Sequence, residues 1–164
     1  MKVGRTIRQL HQAETELADE FRKVGERHAA EHEVFHTCHV LAAQCEQHAG
    51  RLQLIADRYK ADLPDDADDG GPWRGVLEAL RRKVAEPVAR TTFAGMLLLE
   101  DLRTLFLAAE DCSIRWVMLG QAAKAVRDKE LLELVSECHT ETEVQVKWLT
   151  TQIKVRSPVV LAAG

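Results

Sequence analysis

Apolar side chains recur at alternating steps of three and four residues through four long stretches of this chain. This spacing places them on one face of an α-helix, in the pattern of helices that pack in a bundle. Val, Ile and Thr never alternate with polar residues for long, so no stretch predicts a β-strand. The expected fold class is all-α, an antiparallel four-helix bundle. Its helices are expected at about Arg5–His28, His32–Lys60, Thr92–Arg127 and Asp128–Val155.

The connection between the second and third stretches is long, from about 61 to 92. It opens with Leu63–Pro72, whose Pro, Gly and Asp content favours a loop. Trp73–Val84 is expected to form a short helix that ends near Pro87. Neighbouring antiparallel helices are usually joined by roughly two to eight residues, so we interpret this segment as a crossover between two helical hairpins. The apolar tail, Ser157–Gly164, lacks helical spacing and is expected to fray.

Length and charge limit the class of protein. The 164 residues suit a single domain that spans 1–164. The net charge of −4 argues against a nucleic-acid partner, which clustered Lys and Arg would bind. No stretch approaches the roughly 18 uninterrupted apolar residues of a membrane span, and the first residues lack the apolar core of a secretory signal. We therefore expect no membrane association, and four reduced cysteines in a cytoplasmic protein.

Polar residues interrupt the apolar stripes at positions that the two halves of the chain share. Three residues of the first half each have a counterpart 97 positions later (111 − 14 = 97, and likewise for the other two pairs). An unpaired buried charge costs several kcal/mol, so packing alone gives no reason to place a carboxylate or an imidazole inside a bundle. The interval predicts two related hairpins whose polar side chains meet in one cluster. The pairs are Glu14 and Asp111, Cys45 and Thr142, and His48 and Gln145.

Four short segments resemble the core helices of the ferritin-like superfamily, most of all rubrerythrin and bacterial stress-induced ferritin-like proteins. They are His11–Leu17, Gln44–Leu52, Glu110–Leu119 and His139–Leu149. Proteins of that superfamily hold two irons between their helices, and they activate oxygen or peroxide or oxidise iron for storage. The resemblance implies that Glu14 matches a carboxylate ligand and that His48 matches a histidine ligand. It also implies a third-helix carboxylate at Asp111, or at Glu110 if the register differs by one residue.

The ligand set departs from the family pattern at three positions. Cys45 stands where the family has Glu, and Thr142 and Gln145 stand where it has Glu and His. A di-iron centre needs bridging carboxylates to neutralise two cations, and these three side chains cannot serve. We therefore expect no catalytic turnover and no resident cofactor. The expected function is that of a non-catalytic binding or structural protein, of a stress-related kind, that kept the scaffold.

Two alternatives stay open. Glu14, Cys45, His48 and Asp111 have the ligand types of a single zinc or iron site. Apolar residues also mark a second side of the third helix, and a helix that is apolar over most of its circumference favours a homodimer contact through that side. This second stripe comprises Leu107, Ile114 and Met118, beside Asp111.

Two further groups of polar residues predict ordinary surface rather than a site. His32, His36 and His39 lie on one side of the second helix and are expected to form a solvated face, with His28 nearby. Ser113 and Ser136 are expected to have no histidine in position to activate them.

Overall fold

All regular secondary structure that the computed structural model describes, in residues 2–63 and 92–162, is helical. Helix α1 spans Lys2–Arg27, and α2 spans His32–Ala56 and continues into a 3-10 turn at Asp57–Tyr59. Helix α3 spans Thr92–Ala125, and α4 spans Lys129–Ala162. These bounds confirm the four predicted helices. The predicted short helix of the crossover lies outside the described residues.

The end of α4 differs from the sequence prediction. The segment after Ser157 was expected to fray, but α4 continues through Pro158 to Ala162. Pro158 has no backbone N–H to donate to the carbonyl of Lys154, so this turn of α4 has one intrahelical hydrogen bond fewer. Contacts with other parts of the fold hold this end: Arg156 lies 3.4 Å from Glu31, and Val160 packs against Gly95 of α3.

Helix α1 packs along both α2 and α3, and α3 packs along α4. Glycines allow α1 to approach its neighbours closely. A Cβ atom at Gly4 would collide with the carbonyl oxygen of Tyr59, and one at Gly25 would lie 3.1 Å from the Cβ of Cys38. The four packed helices are consistent with a bundle.

Two polar contacts join the ends of different helices. Asp101 of α3 accepts hydrogen bonds of 2.8 and 2.9 Å from Arg27, and it lies 2.7 Å from His28. At the other end, Asp128 accepts a 3.0 Å bond from the backbone N–H of Leu131 and so caps α4. The hydroxyl of Tyr59 also donates to Asp128, which ties the end of the 3-10 turn to the start of α4.

The buried apolar side chains form two clusters, and every helix contributes to both. One cluster includes Phe21, Val34, Leu102 and Leu149, and the other includes Leu10, Leu52, Trp116 and Leu131. No helix in the described ranges is long and apolar enough to cross a membrane.

Candidate functional site

Buried polar side chains lie between the two apolar clusters. Glu14, Thr142 and Gln145 have no exposed surface, and His48 is 1% exposed. The thiol of Cys45 is also fully buried beside them. The structure thus places five of the six positions predicted from the sequence inside the bundle. We call the following residues the polar cluster: Glu14, Cys45, His48, Trp116, Thr142 and Gln145.

The sixth position, Asp111, is not part of the polar cluster, and this corrects the sequence prediction. Its side chain is 50% exposed and accepts a 2.7 Å bond from Arg115. Glu110, the carboxylate expected if the register differed by one residue, is exposed as well. The inward stripe of α3 passes through Ala109, Cys112 and Trp116. Asp111 precedes Cys112 by one residue, which turns its side chain about 100° away from that stripe.

Glu14 is held through one of its two carboxylate oxygens. The indole N–H of Trp116 donates a 2.6 Å hydrogen bond to Oε1. The Nδ1 atom of His48 lies 3.3 Å from the same oxygen, close enough for an ion pair but without hydrogen-bond alignment. The other oxygen, Oε2, is buried and has no hydrogen-bond partner. The partners of the Glu14 carboxylate therefore all lie at one of its two oxygens, Oε1.

Trp116 was not among the site residues predicted from the sequence, which missed its polar role. The signal was present: Trp116 lies on the inward stripe of α3, and a buried indole N–H normally finds an acceptor. Its ring also stands edge-on to the imidazole of His48, with ring centroids 5.8 Å apart and planes at 85°. Trp116 thus positions both Glu14 and His48.

His48 lies between two carboxylates. Its Nε2 atom is 2.9 Å from Oε2 of Glu141, whose side chain is 44% exposed. Burial alone would lower the pKa of His48, but the contacts with Glu14 and Glu141 outweigh it and raise the pKa above its usual value. Glu141 was not among the predicted site residues, and its long side chain reaches the imidazole from a partly exposed position.

Cys45 and Gln145 pair with each other. Both amide atoms of Gln145 lie close to the sulfur, Nε2 at 3.6 Å and Oε1 at 3.7 Å. The Nε2 group of Gln145 also donates a 2.7 Å hydrogen bond to Gln44. Burial and the charge of Glu14 raise the pKa of the Cys45 thiol, so it stays protonated. Thr142 donates within its own helix, to the carbonyl of Cys138 at 2.9 Å.

These side chains do not fit a di-iron centre. With Asp111 outside, Glu14 is the fully buried carboxylate of the polar cluster, and one carboxylate cannot bridge and neutralise two irons. Within residues 2–63 and 92–162, no group of three or more His, Cys, Asp or Glu side chains is arranged to hold a metal ion. The polar cluster is instead a buried carboxylate, that of Glu14, paired with the indole N–H of Trp116 and the imidazole of His48.

The surface polar groups also differ in part from expectation. Ser113 does have a histidine partner: its hydroxyl lies 3.2 Å from Nε2 of His139. Glu143 approaches that same nitrogen at 3.7 Å. In a nucleophilic triad the acid binds the other ring nitrogen and orients the base, so this arrangement does not activate Ser113.

The histidines near the turn between α1 and α2 contact different partners and do not form one group. His28 binds Asp101, while His39 lies 2.8 Å from the carbonyl oxygen of Phe35 and 3.0 Å from Glu26. His32 and His36 are exposed, as expected for a solvated face.

Comparison of the chain with protein-family models, with curated proteins and with solved structures finds no match.

Proposed function

We propose that this chain is a ferritin-like bundle that has lost its di-iron centre and acts as a non-catalytic binding or structural protein. The observation that carries the proposal is the burial of Glu14 and His48 together with the side-chain contacts that each of them makes. Each is fully buried, and each is engaged by side chains of the protein itself: Glu14 by Trp116, and His48 by Glu14 and Glu141. Groups that once bound metal, on this proposal, now bind one another.

The proposal includes an antiparallel arrangement within each hairpin. Two observations support it for α1 and α2: Gly4, near the start of α1, approaches Tyr59, and Gly25, near its end, approaches Cys38. The long segment between α2 and α3 fits a crossover of the ferritin-like kind. All four cysteines are free and buried, which fits a reducing compartment such as the cytoplasm.

A second candidate is a protein that binds one zinc or iron ion through Glu14, Cys45 and His48. It is favoured by two buried atoms without hydrogen-bond partners, Oε2 of Glu14 and Nδ1 of His48. Two features oppose it. The thiol of Cys45 must lose its proton to bind a metal, and its raised pKa makes that loss costly. The imidazole must also lose the proton on Nδ1 that makes it an ion-pair partner of Glu14.

Metal analysis of the full chain, purified without a histidine tag, separates the two candidates. After incubation with Zn²⁺ or Fe²⁺ and removal of free ions, we expect well below one ion per chain. Any residual binding should disappear in a His32→Ala, His36→Ala variant, because those exposed histidines lie one turn apart on α2. One ion per chain that is lost instead in a Cys45→Ala, His48→Ala variant would establish the second candidate and end the first.

A further inference from the structure

Polar side chains join α2 to α4 along most of the length of α2. They form five pairs, each an ion pair or a hydrogen bond between one residue of α2 or its 3-10 turn and one residue of α4. The two atoms of each pair lie 2.6 to 2.9 Å apart. We call these pairs the α2–α4 seam: Arg58 and Glu130, Arg51 and Glu137, His48 and Glu141, Gln44 and Gln145, and Glu33 and Gln152.

The other pairs of neighbouring helices approach more closely. The backbones of α2 and α4 stay farther apart than those of α1 and α2, of α3 and α4, or of α1 and α3. Small residues permit the close approach elsewhere. A Cβ atom at Gly25 of α1 would lie 3.1 Å from the Cβ of Cys38 in α2, and one at Gly120 of α3 would lie 3.2 Å from Cγ1 of Val135 in α4.

The ion pairs of the α2–α4 seam contribute little to stability. Arg58 and Glu130 are 43% and 73% exposed, and Arg51 and Glu137 are 37% and 63% exposed. When such a pair separates, water takes the place of each partner, so the net loss is small. Separation of the more closely packed helices would instead remove tight apolar contacts. The four helices can therefore part along the α2–α4 seam at the lowest cost.

The polar cluster lies directly behind this seam. His48 and Gln145 belong both to the cluster and to the seam, and the partner of His48 in the seam, Glu141, is 44% exposed. Oε2 of Glu14, deeper inside, is buried without a hydrogen-bond partner. A buried polar atom in that state gains from contact with water or with a polar solute. Opening of the seam would supply that contact.

We propose that the bundle opens along the α2–α4 seam, and that this opening is the route by which small polar solutes reach the polar cluster. Helices α1 and α3 stay joined, because Trp116 of α3 binds Glu14 and Asp101 of α3 binds Arg27. The open form is a minor state in which part of the structure separates while the rest stays folded. The proposal concerns access to the polar cluster and does not depend on the function proposed above.

Alkylation of the buried thiols by iodoacetamide tests the proposal on the full chain under native conditions. Mass spectrometry gives the rate at each cysteine, which is divided by the rate at the same cysteine in the urea-unfolded chain. Cys45 and Cys138 border the seam, since each contacts a side chain of the opposite helix. Cys38 instead lies against Gly25 of α1. We expect Cys45 and Cys138 to react at least about tenfold faster than Cys38.

The dependence of these rates on urea distinguishes opening of the seam from global unfolding. Low concentrations of urea should accelerate the reaction of Cys38 more steeply than that of Cys45, because global unfolding exposes more surface than opening does. Equal rates at Cys38 and Cys45, with equal dependence on urea, would show that only global unfolding exposes them. That result would overturn the proposal.

A like charge placed across the seam should favour the open form. Glu137→Arg sets a second cation against Arg51 and should raise the rate at Cys45 about threefold, the scale expected for an exposed ion pair. Cys45 is measured here because Cys138 neighbours the substitution. Circular dichroism checks that the helices persist. An unchanged rate at Cys45 would contradict the proposal.

Glu46→Arg is the matched control. Glu46 lies 2.5 Å from Arg22, across α1 and α2, and the two side chains are 55% and 39% exposed, much like the pair in the seam. This variant should leave the rate at Cys138 unchanged, since it weakens a contact that stays closed in the open form. Cys138 is measured because Cys45 neighbours the substitution. If Glu46→Arg accelerates Cys138 as much as Glu137→Arg accelerates Cys45, the α2–α4 seam has no special part and the proposal fails.

Discussion

At the scale of single residues, the main feature is a carboxylate kept fully buried by an indole and an imidazole. Trp116 donates to Glu14 at 2.6 Å, and His48 lies 3.3 Å from the same oxygen. Burying a charge in this way requires that its partners stay in place, because removal of one partner leaves the other charge unpaired in the core. The residue-scale predictions follow from this dependence.

Glu14→Gln keeps the shape of the side chain and removes its charge. We expect a loss of about 2 kcal/mol in the free energy of unfolding, since charge-assisted hydrogen bonds are worth roughly that much. We also expect the pKa of His48 to fall, as measured from the imidazole signals by NMR. Glu141→Gln is the control and should cost less than about 1 kcal/mol, because Glu141 is 44% exposed. Equal losses for the two variants would contradict this account.

The raised pKa of His48 makes stability depend on pH in a definite direction. An imidazole that gains its proton more readily when folded stabilises the protein fully below the unfolded pKa of about 6.5. That contribution is lost as the pH rises through the higher, folded pKa. Urea unfolding at a series of pH values should show this decline, and His48→Gln should flatten it. A decline of the same size in both proteins would assign the effect to other groups.

At the scale of the helices, glycines decide how closely α1 approaches its neighbours. Gly4→Ala should destabilise the protein by about 1–3 kcal/mol, because the new Cβ would meet the carbonyl oxygen of Tyr59. Gly50→Ala is the opposite case: nothing lies within 4 Å of its Cβ position in α2. It should stabilise the protein by up to about 1 kcal/mol. Thermal unfolding of the two variants checks the signs, and stabilisation by both would argue against the close approach.

The start of α4 depends on Asp128. Its hydrogen bonds from the backbone of Leu131 and from Tyr59 lower its pKa below the usual value. The corresponding stabilisation is present above the unfolded pKa of about 3.9 and is lost as the pH falls through the lower, folded pKa. Asp128→Ala should cost about 1–2 kcal/mol at neutral pH, the usual range for a lost helix cap. Asp62→Ala, at an exposed position after the 3-10 turn, should cost little.

At the scale of the whole molecule, the polar cluster divides the apolar interior into two parts. Replacing a buried ion pair by well-packed apolar residues is often neutral or stabilising by roughly 1–4 kcal/mol. Glu14→Met, His48→Leu and Trp116→Phe together should therefore leave the free energy of unfolding unchanged or raise it. Glu14→Met alone should lower it by about 3–5 kcal/mol. A triple variant that is as unstable as the single one would show that the cluster contributes more than charge pairing.

The sequence by itself determined where the four long helices lie along the chain and which of their faces turn inward. Both follow from a local period of 3.6 residues, which the chain carries without reference to its neighbours. The burial of Glu14, His48 and Gln145 could be predicted for the same reason. The extra turns at the end of α4 could not, because contacts of Arg156 and Val160 with other helices support them.

Only the tertiary structure decided which polar atoms meet. A rotation of about 100° separates Asp111 on the surface from Cys112 in the core, so the repeat interval alone could not locate the carboxylate of α3. The partner roles of Trp116 and Glu141 depend on the rotation of α3 and α4 about their own axes and on the reach of two long side chains. Periodicity selects the face of each helix, whereas packing between helices determines the contacts that each face makes.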